Sequence, residues 1–387
     1  MKIKYLKRLS LITNNFYQTG GNVKNISVSG IQSLYIRGRN MSGESSEKNQ
    51  TSLEGVLKEL NKFADLSLAE KWDNVGLLIE PATPRPVNKI LLTNDLTEVV
   101  MQESIEKDIS LIISYHPPIF APLKRVTQAS WKERIVSRCL ENKIAVFSPH
   151  TSWDAVYGGV NDWLAEAFSS YIQPNGKQPL TPSTNNDALY IATIIGSSES
   201  ISRIKKSGLS LKLSESYAEG DKEICTAICD KEMLKNLKSL HNDINIGTME
   251  CGKNENTLNG MGRLLQVSDL TIADCVRLIK QHTGLSHVRL ACAKNQSEGS
   301  PVKTIALVPG SGGSLLKGVK ADLFVTGEMF HHDILDANHT GTSVILTNHS
   351  DSERGFLAKM AVLLNDIFKN DIKIEISSFD ADPLITV

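Results

Sequence analysis

Several features that would assign a protein to a class are missing from this sequence. No stretch reaches 18 consecutive apolar residues, which excludes a helix that spans a membrane. The 387 residues include 42 Lys and Arg against 43 Asp and Glu, and this balance argues against direct nucleic-acid binding through a basic surface. The six cysteines are scattered, and only Cys225 and Cys229 lie close together. With no second pair and no nearby histidine, they indicate ordinary reduced thiols and not a metal site.

Acidic residues are absent from the first 43 positions, which distinguishes this leader from the rest of the chain. The leader instead carries scattered Lys and Arg together with Ser and Thr. This composition is typical of a mitochondrial transit peptide, and a disordered extension is the alternative. We therefore treat residues 1–50 as a leader. The expected location is cytoplasmic, with the nucleus as a further option, or mitochondrial if the leader is a transit peptide.

From residue 52 onward, strand-like and helix-like segments alternate, which is typical of βαβ units and parallel strands. A segment rich in Pro, Asn, Ser and Thr at 173–187 is typical of a linker. The sequence predicts an α/β protein: two α/β halves with mixed, mostly parallel sheets at 51–172 and 259–387, and an inserted small α+β domain at 182–258.

Polar side chains follow several of the predicted strands. His116, His150 and His349 each come immediately after a strand, and Glu328 occupies the same kind of position. In open α/β sheets ligands bind beyond the carboxyl ends of the strands, so we expect these groups to converge at one edge. His331 and His332 follow Glu328 within one helical turn, where one of them can face the same site.

Two of these histidines begin a His-x-x-x-acid pattern, His150 with Asp154 and His349 with Glu353. Imidazole and carboxylate together suit first-row divalent metals, and two such ions can clamp the oxygens of a hydrolytic reaction. The alternative is that these pairs are structural hydrogen bonds or helix caps. The spacing alone leaves both interpretations open.

Two further segments are weaker candidates. Pro309–Ser314 (PGSGGS) follows a strand and can present backbone N–H groups to an anion, although a tight strand-to-helix turn explains it without a ligand. Asp73, Asn74 and Asp95 can line a cleft, but Asx residues also favour turns.

Eight motifs occur in order and together are specific. They are WDNVGL (72–77), TNDLT (93–97), SYHPPIF (114–120), SPHTxxD (148–154), GMGR (260–263), GSGGS (310–314), TGEMxHHD (326–333) and NHSDSERGFL (348–357). In this set the chain resembles the Nif-three-like family, also called GTP cyclohydrolase I type 2-like, from about residue 52 to 387.

The resemblance implies two α/β halves around a dinuclear metal site, with self-association as a dimer or hexamer. The implied ligands fall on His116, Asp154, His349 and Glu353. The position before His116 is Tyr115, where bacterial members have a second histidine. A phenol with a pKa of about 10 is a poorer ligand than imidazole at neutral pH, so we expect one metal position to be weakened. The predicted cofactor is therefore one or two divalent ions of zinc, iron or manganese.

Two functions follow from the resemblance. The first is a metal-dependent hydrolase of a nucleotide-like substrate, in which Glu328 or His332 supports a ligand or carries protons. The second is a non-catalytic interaction protein that acts as a transcriptional corepressor or scaffold through corepressor or signalosome partners, with no direct nucleic-acid contact and no membrane association. The Tyr115 replacement favours the second function.

Overall fold

The computed structural model describes residues 52–184, 189–206, 213–214, 216–229, 231–240, 244–251, 255–369 and 371–385. The predicted leader therefore lies outside the described residues. The chain divides into two compact units: one contains the described residues up to Thr181 and those from Asn259 onward, and the other is Pro182–Leu258. The second unit occupies the residues for which the sequence predicts an inserted module.

The amino-terminal part of the first unit alternates helices and strands. Its elements are α1 (Leu53–Phe63), β1 (Gly76–Ile79), β2 (Lys89–Thr93), α2 (Glu98–Glu106), β3 (Leu111–Ser114), α3 (Trp131–Glu141), β4 (Ala145–Ser148), α4 (Thr151–Ala155), α5 (Val160–Ala165) and β5 (Ile172–Gln178). Strand β6 (Thr181–Thr184) begins at the last residue of this part and continues into the second unit. Helix α1 begins where the Ser52 hydroxyl accepts a hydrogen bond from the Gly55 N–H, and it buries Leu53, Val56 and Leu60 on one face.

The second unit is a small α+β layer pair. It contains β7 (Leu189–Gly196), α6 (Ser198–Lys206), β8 (Tyr217–Glu219), β9 (Lys222–Cys229), α7 (Lys231–Leu240) and β10 (Asn245–Cys251). The described strands form an antiparallel sheet in the order β10-β7-β9-β8. Strand β9 alternates buried and exposed positions, so Cys225, Ala227 and Cys229 face the core of this unit.

The chain then returns to the first unit through β11 (Glu255–Met261), which begins in the second unit. The elements that follow are β12 (Arg263–Thr271), α8 (Ile272–Thr283), β13 (Arg289–Ala291), β14 (Pro301–Ser311), α9 (Gly313–Leu316), β15 (Leu323–Glu328), α10 (His331–His339), β16 (Ser343–Leu346), α11 (Phe356–Phe368) and β17 (Lys373–Ile376). Helix α8 has a capping box between Thr271 and Asp274, and it ends at Gly284, whose φ of 76° suits a left-handed cap.

Two sheets organise the first unit. The first has the order β1-β4-β3-β2-β17, in which β4, β3, β2 and β17 are parallel neighbours and only β1 is antiparallel. The second has the order β13-β16-β15-β14-β12-β5, with β16, β15 and β14 parallel. The predicted α/β class with mixed sheets is confirmed. Fully buried strands such as β3 (LIIS) explain why their sequences read as continuous apolar runs.

The two sheets share one hydrophobic core. Apolar side chains from both sheets pack there against α1, α5, α8 and α11. Helices α2 and α3 cover the outer face of the first sheet, and α9 and α10 cover that of the second. This layering fixes the loops at the strand ends, from which the candidate site is built.

Some local predictions were wrong. Much of the predicted linker is strand: β5 adds to the edge of the second sheet beside β12, and Pro174 and Gly176 are tolerated there because an edge strand needs only one partner. Strand β1 lies within residues 71–86, for which the sequence predicts a loop, and the sequence did not predict helix α10. Strand β17, in the second predicted half, pairs with β2 of the first half.

Candidate metal centre

The candidate ligands lie in loops at the carboxyl ends of parallel strands. His116 follows β3, where its own N–H donates to the Asn94 carbonyl and so extends the ladder beside β2. His349 follows β16, and Glu353 comes after the single 3₁₀ turn Ser350–Ser352 that leads towards α11. Parallel neighbours place these loops at one edge of each sheet, which is why residues far apart in sequence meet.

Three of these side chains form a cluster. The ligand atoms of His116, His349 and Glu353 lie within 4.8 Å of one another. The His116 Nε2 is 3.3 Å from Glu353 Oε2, and the His349 Nε2 is 3.8 Å from Glu353 Oε1. The Glu353 side chain is only 4 % exposed, so its carboxylate forms the inner wall of the cluster.

The other nitrogen of each imidazole is held by a second carboxylate. The His116 Nδ1 is 2.9 Å from Asp95 Oδ1, and the His349 Nδ1 is 2.7 Å from Glu328 Oε1. A carboxylate at Nδ1 fixes both the ring orientation and the tautomer, so the Nε2 lone pair is directed towards Glu353. This is the arrangement that histidine ligands of metals usually have.

The cluster fits a divalent cation on three observations. Two imidazoles and one carboxylate are a donor set for zinc and for non-haem iron. The buried Nε2 of His116 has no hydrogen-bond partner among the described residues, although Glu353 is close. Gly310, with φ of 63°, leaves room beside the cluster that a Cβ would fill, overlapping Glu353 Oε1 and lying 3.3 Å from the His349 Nε2.

Electrostatics couples the members of the cluster. Burial would raise the pKa of the Glu353 carboxyl, but the charge of the nearby His116 holds it below its ordinary value. Burial would lower the pKa of the His116 imidazole, but Glu353 and Asp95 raise it to about 10. An imidazolium cannot ligate a metal, so a cation that binds His116 must displace its proton.

Two further predicted ligands, Tyr115 and Asp154, lie beside the cluster and are hydrogen-bonded to each other. The Tyr115 hydroxyl donates to Asp154 Oδ1 at 2.6 Å. Burial raises the pKa of the Tyr115 hydroxyl well above its ordinary value, and the Asp154 charge adds to this shift. Burial also raises the pKa of the Asp154 carboxyl to about 6. Tyr115 therefore stays a phenol that donates to Asp154.

His150 completes the group of aromatic rings around this pair. Its ring centroid lies 5.6 Å from that of Tyr115 and 5.4 Å from that of His116. Its Nδ1 is 2.7 Å from Asp73 Oδ1, so a third histidine is held by a carboxylate in the same way.

Six of these side chains line one cleft with a volume of about 660 Å³: Asp95, His116, His150, Asp154, His349 and Glu353. Aromatic side chains stand at its surface: Trp72 is 62 % exposed and Phe120 is 49 % exposed. Their ring centroids are 6.1 Å apart in an edge-to-face arrangement. Exposed aromatic rings beside a buried polar cluster give the cleft an apolar wall on which a planar ligand can stack.

The structure brings together only part of the predicted site. His116, His349 and Glu353 form the cluster, Tyr115 and Asp154 pair beside it, and Glu328 contacts His349. His332 lies on α10 with an exposed ring 5.5 Å from that of His331, and it is absent from the residues that line the cleft.

Other contacts were less visible in the sequence. Asp73 and Asp95 orient histidines, a role that only their positions in the motifs WDN and TND indicate. The backbone N–H groups of Gly310 and Gly312 donate to the hydroxyls of Ser352 and Thr326, so these two groups of the PGSGGS segment already have acceptors within the protein.

Comparison with known proteins identifies relatives along most of the chain. The profile of the family described as Duf34/NIF3 (NGG1p interacting factor 3) matches residues 51–383. NIF3-like protein 1 from Rattus norvegicus is 41% identical over 361 residues, covering 89% of this chain and 95% of that protein. NGG1-interacting factor 3 from Saccharomyces cerevisiae is 28% identical, covering 87% and 97%. Among solved structures, Staphylococcus aureus protein SA1388 matches with a TM-score of 0.73 and 26% identity, covering 87% of this chain and 99% of that one.

Proposed function

The chain belongs to the Duf34/NIF3 family, and from that premise we propose that it is a metal-dependent hydrolase. His116, His349 and Glu353 would hold a divalent cation, zinc, iron or manganese, at the bottom of the cleft. The single observation that carries this proposal is the orientation of the two imidazoles. Each has its Nδ1 on a carboxylate and its Nε2 towards Glu353.

A bound divalent cation supplies Lewis acidity, which polarises a substrate oxygen and lowers the pKa of water. The residues of the chain do the remaining work. Glu328 and Asp95 are positioning residues, because each acts through the histidine that it holds. Tyr115 donates to Asp154 and so keeps a carboxylate oriented within the cleft. Beside Asp154 the predicted ligand Tyr115 is a buried phenol, which argues for one strong cation position. Proton transfer by His332 stays a prediction.

The substrate that we propose is a nucleotide-like heterocycle, as the narrower label GTP cyclohydrolase type 2-like implies. Trp72 and Phe120 support this class, because exposed aromatic faces at the edge of a metal cleft favour a planar ring. Among the described residues that line the cleft, Lys132 is the single cationic Lys or Arg side chain, so it is the group available to a phosphate.

The test combines metal content with turnover in the full chain. We would purify the wild type, His349→Ala and a control, His287→Ala, and analyse each for bound metal. His287 is an exposed histidine that is hydrogen-bonded to Ser286. Each is then assayed for hydrolysis of nucleoside triphosphates. We expect His349→Ala to lose both metal and turnover, and His287→Ala to retain both. Metal without turnover in the wild type would contradict the enzymatic proposal.

A second candidate function is a non-catalytic corepressor or scaffold. The yeast relative's name, NGG1-interacting factor 3, supports protein partners, and its function would not require turnover. Self-association as a dimer or hexamer belongs to the same proposal and is measured by sedimentation velocity. None of the described helices has the length and apolar character to cross a bilayer.

For location we propose the cytoplasm, with the nucleus as a further option and mitochondria if the leader acts as a transit peptide. The full chain carrying a carboxyl-terminal fluorophore tests this directly. Overlap with a mitochondrial marker that disappears when translation starts at Met41 would support the transit peptide, and no overlap in either case would refute it.

A further inference from the structure

The segment after β17, residues 377–385 (the C-terminal segment), is held by polar contacts. Ser377 and Ser378 donate to the Glu103 carboxylate of α2, and Asp382 accepts from the Ser350 hydroxyl at 2.7 Å. The large apolar side chains of this segment, Phe379, Leu384 and Ile385, are exposed. Hydrophobic burial therefore does not explain why the segment lies where it does.

Asp380 is the centre of these contacts, and its carboxylate is only 1 % exposed. It accepts hydrogen bonds from the backbone N–H of Asn94 at 2.9 Å and of Asp95 at 3.3 Å. It also accepts from Arg354 Nε at 3.1 Å. One carboxylate thus joins the loop after β2 to the loop after β16.

Every residue that Asp380 contacts is either hydrogen-bonded to a member of the metal cluster or next to one in the sequence. The Asn94 side chain donates to Glu353 Oε2 at 3.0 Å, and Asp95 holds the Nδ1 of His116. Arg354 is the next residue after Glu353. The loop after β2, which orients His116, and the loop after β16, which carries His349 and Glu353, are therefore both held by the buried carboxylate of Asp380.

A simpler explanation is that Asp380 only neutralises the charge of Arg354. This does not account for its contacts with the backbone of Asn94 and Asp95. Arg354 Nη1 already pairs with Asp351 at 2.8 Å, and Arg354 Nη2 donates to the Ser350 hydroxyl. The two backbone N–H groups of the other loop also need an acceptor when they are buried, and Asp380 supplies it.

We propose that Asp380 is a positioning residue for the metal centre, fixing the loop of Asn94 and Asp95 against the loop of Glu353. The inference rests on the proposed binding of a cation by His116, His349 and Glu353. Residues that orient metal ligands usually change metal affinity by about 10–100-fold when they are removed. We expect a change in metal affinity of the same size, because Asp380 contacts both Asn94, which donates to Glu353, and Asp95, which holds His116.

The test is Mn²⁺ affinity of the full chain, measured by isothermal titration after the metal has been stripped with a chelator. Asp380→Asn keeps the shape and one acceptor but removes the charge, and we expect its Kd to rise about 10-fold or more. Asp380→Glu restores the charge with one extra methylene and should recover part of the affinity. Asp336→Asn makes the same chemical change on the exposed surface of α10 and should leave the Kd within twofold.

A stability control separates positioning from general weakening. Leu364→Ala removes a buried side chain of α11 remote from the ligands, and it should lower the melting temperature without changing the Kd. An unchanged Kd in Asp380→Asn, or an equal rise in Leu364→Ala, would overturn the inference. A wild-type chain that binds no Mn²⁺ or Zn²⁺ would instead overturn the proposed function on which it rests.

Discussion

Gly310→Ala should damage the metal centre through a single added methyl group. Gly310 has φ of 63°, and its N–H and C=O are fixed by Ser352 and Thr326, so the backbone has little freedom to move. The new Cβ would overlap Glu353 Oε1, and the carboxylate would have to retreat by about 1 Å to reach an ordinary contact distance.

The size of the effect follows from two separate terms. Placing Ala in a left-handed conformation costs about 1–2 kcal/mol of folding free energy. Displacing Glu353 costs metal affinity in addition, because a coordination site tolerates deviations of only about 0.2 Å. We expect the Kd for Mn²⁺ to rise at least about 10-fold, which corresponds to about 1.4 kcal/mol.

Gly284→Ala is the matched control, because Gly284 has φ of 76° and open space around its Cβ position. Urea unfolding should show a similar loss of stability in both variants, and isothermal titration should show a loss of affinity in Gly310→Ala only. Equal Mn²⁺ affinity in the two variants would refute the placement of Glu353 in the metal centre.

Four further predictions concern other contacts. Asp162→Asn leaves Arg263 buried without its charged partner and should lower the free energy of unfolding at pH 7 by about 3–5 kcal/mol in urea titrations. Arg263 holds the pKa of Asp162 at about 2 despite burial, so about 2 kcal/mol of stability is present above pH 4 and is lost as the pH falls towards 2. A difference in unfolding free energy between the wild type and Asp162→Asn that stays constant over this pH range would contradict the pairing. Tyr115→His should raise the metal stoichiometry measured by elemental analysis, and an unchanged stoichiometry would refute our interpretation of the phenol. Glu328→Gln should weaken Mn²⁺ binding by about 10-fold through His349, and wild-type affinity would show that Glu328 does not orient that ring.

The sequence predicted the repeated units of the fold because their signals are local. The strands around KILLT, LIIS and SVIL are short apolar runs that end at polar residues, and α11 has an amphipathic pattern. The sequence predicts these strands at 89–94, 111–114 and 343–347 and the helix at 353–369, and their bounds in the structure differ by three residues at most. Edge strands are less visible, since β5 (IQPNGKQ) buries little and contains Pro and Gly, and only its pairing with β12 makes it a strand.

The candidate site was predictable to the extent that its residues stand at strand ends. The motifs predict His116, His349 and Glu353 as ligands, and the structure places these three side chains together. The sequence did not indicate which carboxylate pairs with each histidine. Asp95 meets His116 across 21 positions, and this contact depends on the parallel pairing of β2 and β3.

Asp380 shows the same limit more strongly. It lies more than 280 positions from Asn94 along the chain, and it reaches that loop because β17 pairs with β2 in the first sheet. A sequence pattern of FDADP at the end of a chain carries no signal for such a contact.

The most direct test of the central claim is the anomalous scattering of Mn²⁺ in crystals of the full chain grown with the metal. We predict a peak about 2.0–2.3 Å from the Nε2 atoms of His116 and His349 and from the Glu353 carboxylate. A peak at another position with this cluster free of metal, or imidazoles whose Nε2 atoms point away from Glu353, would contradict the assignment.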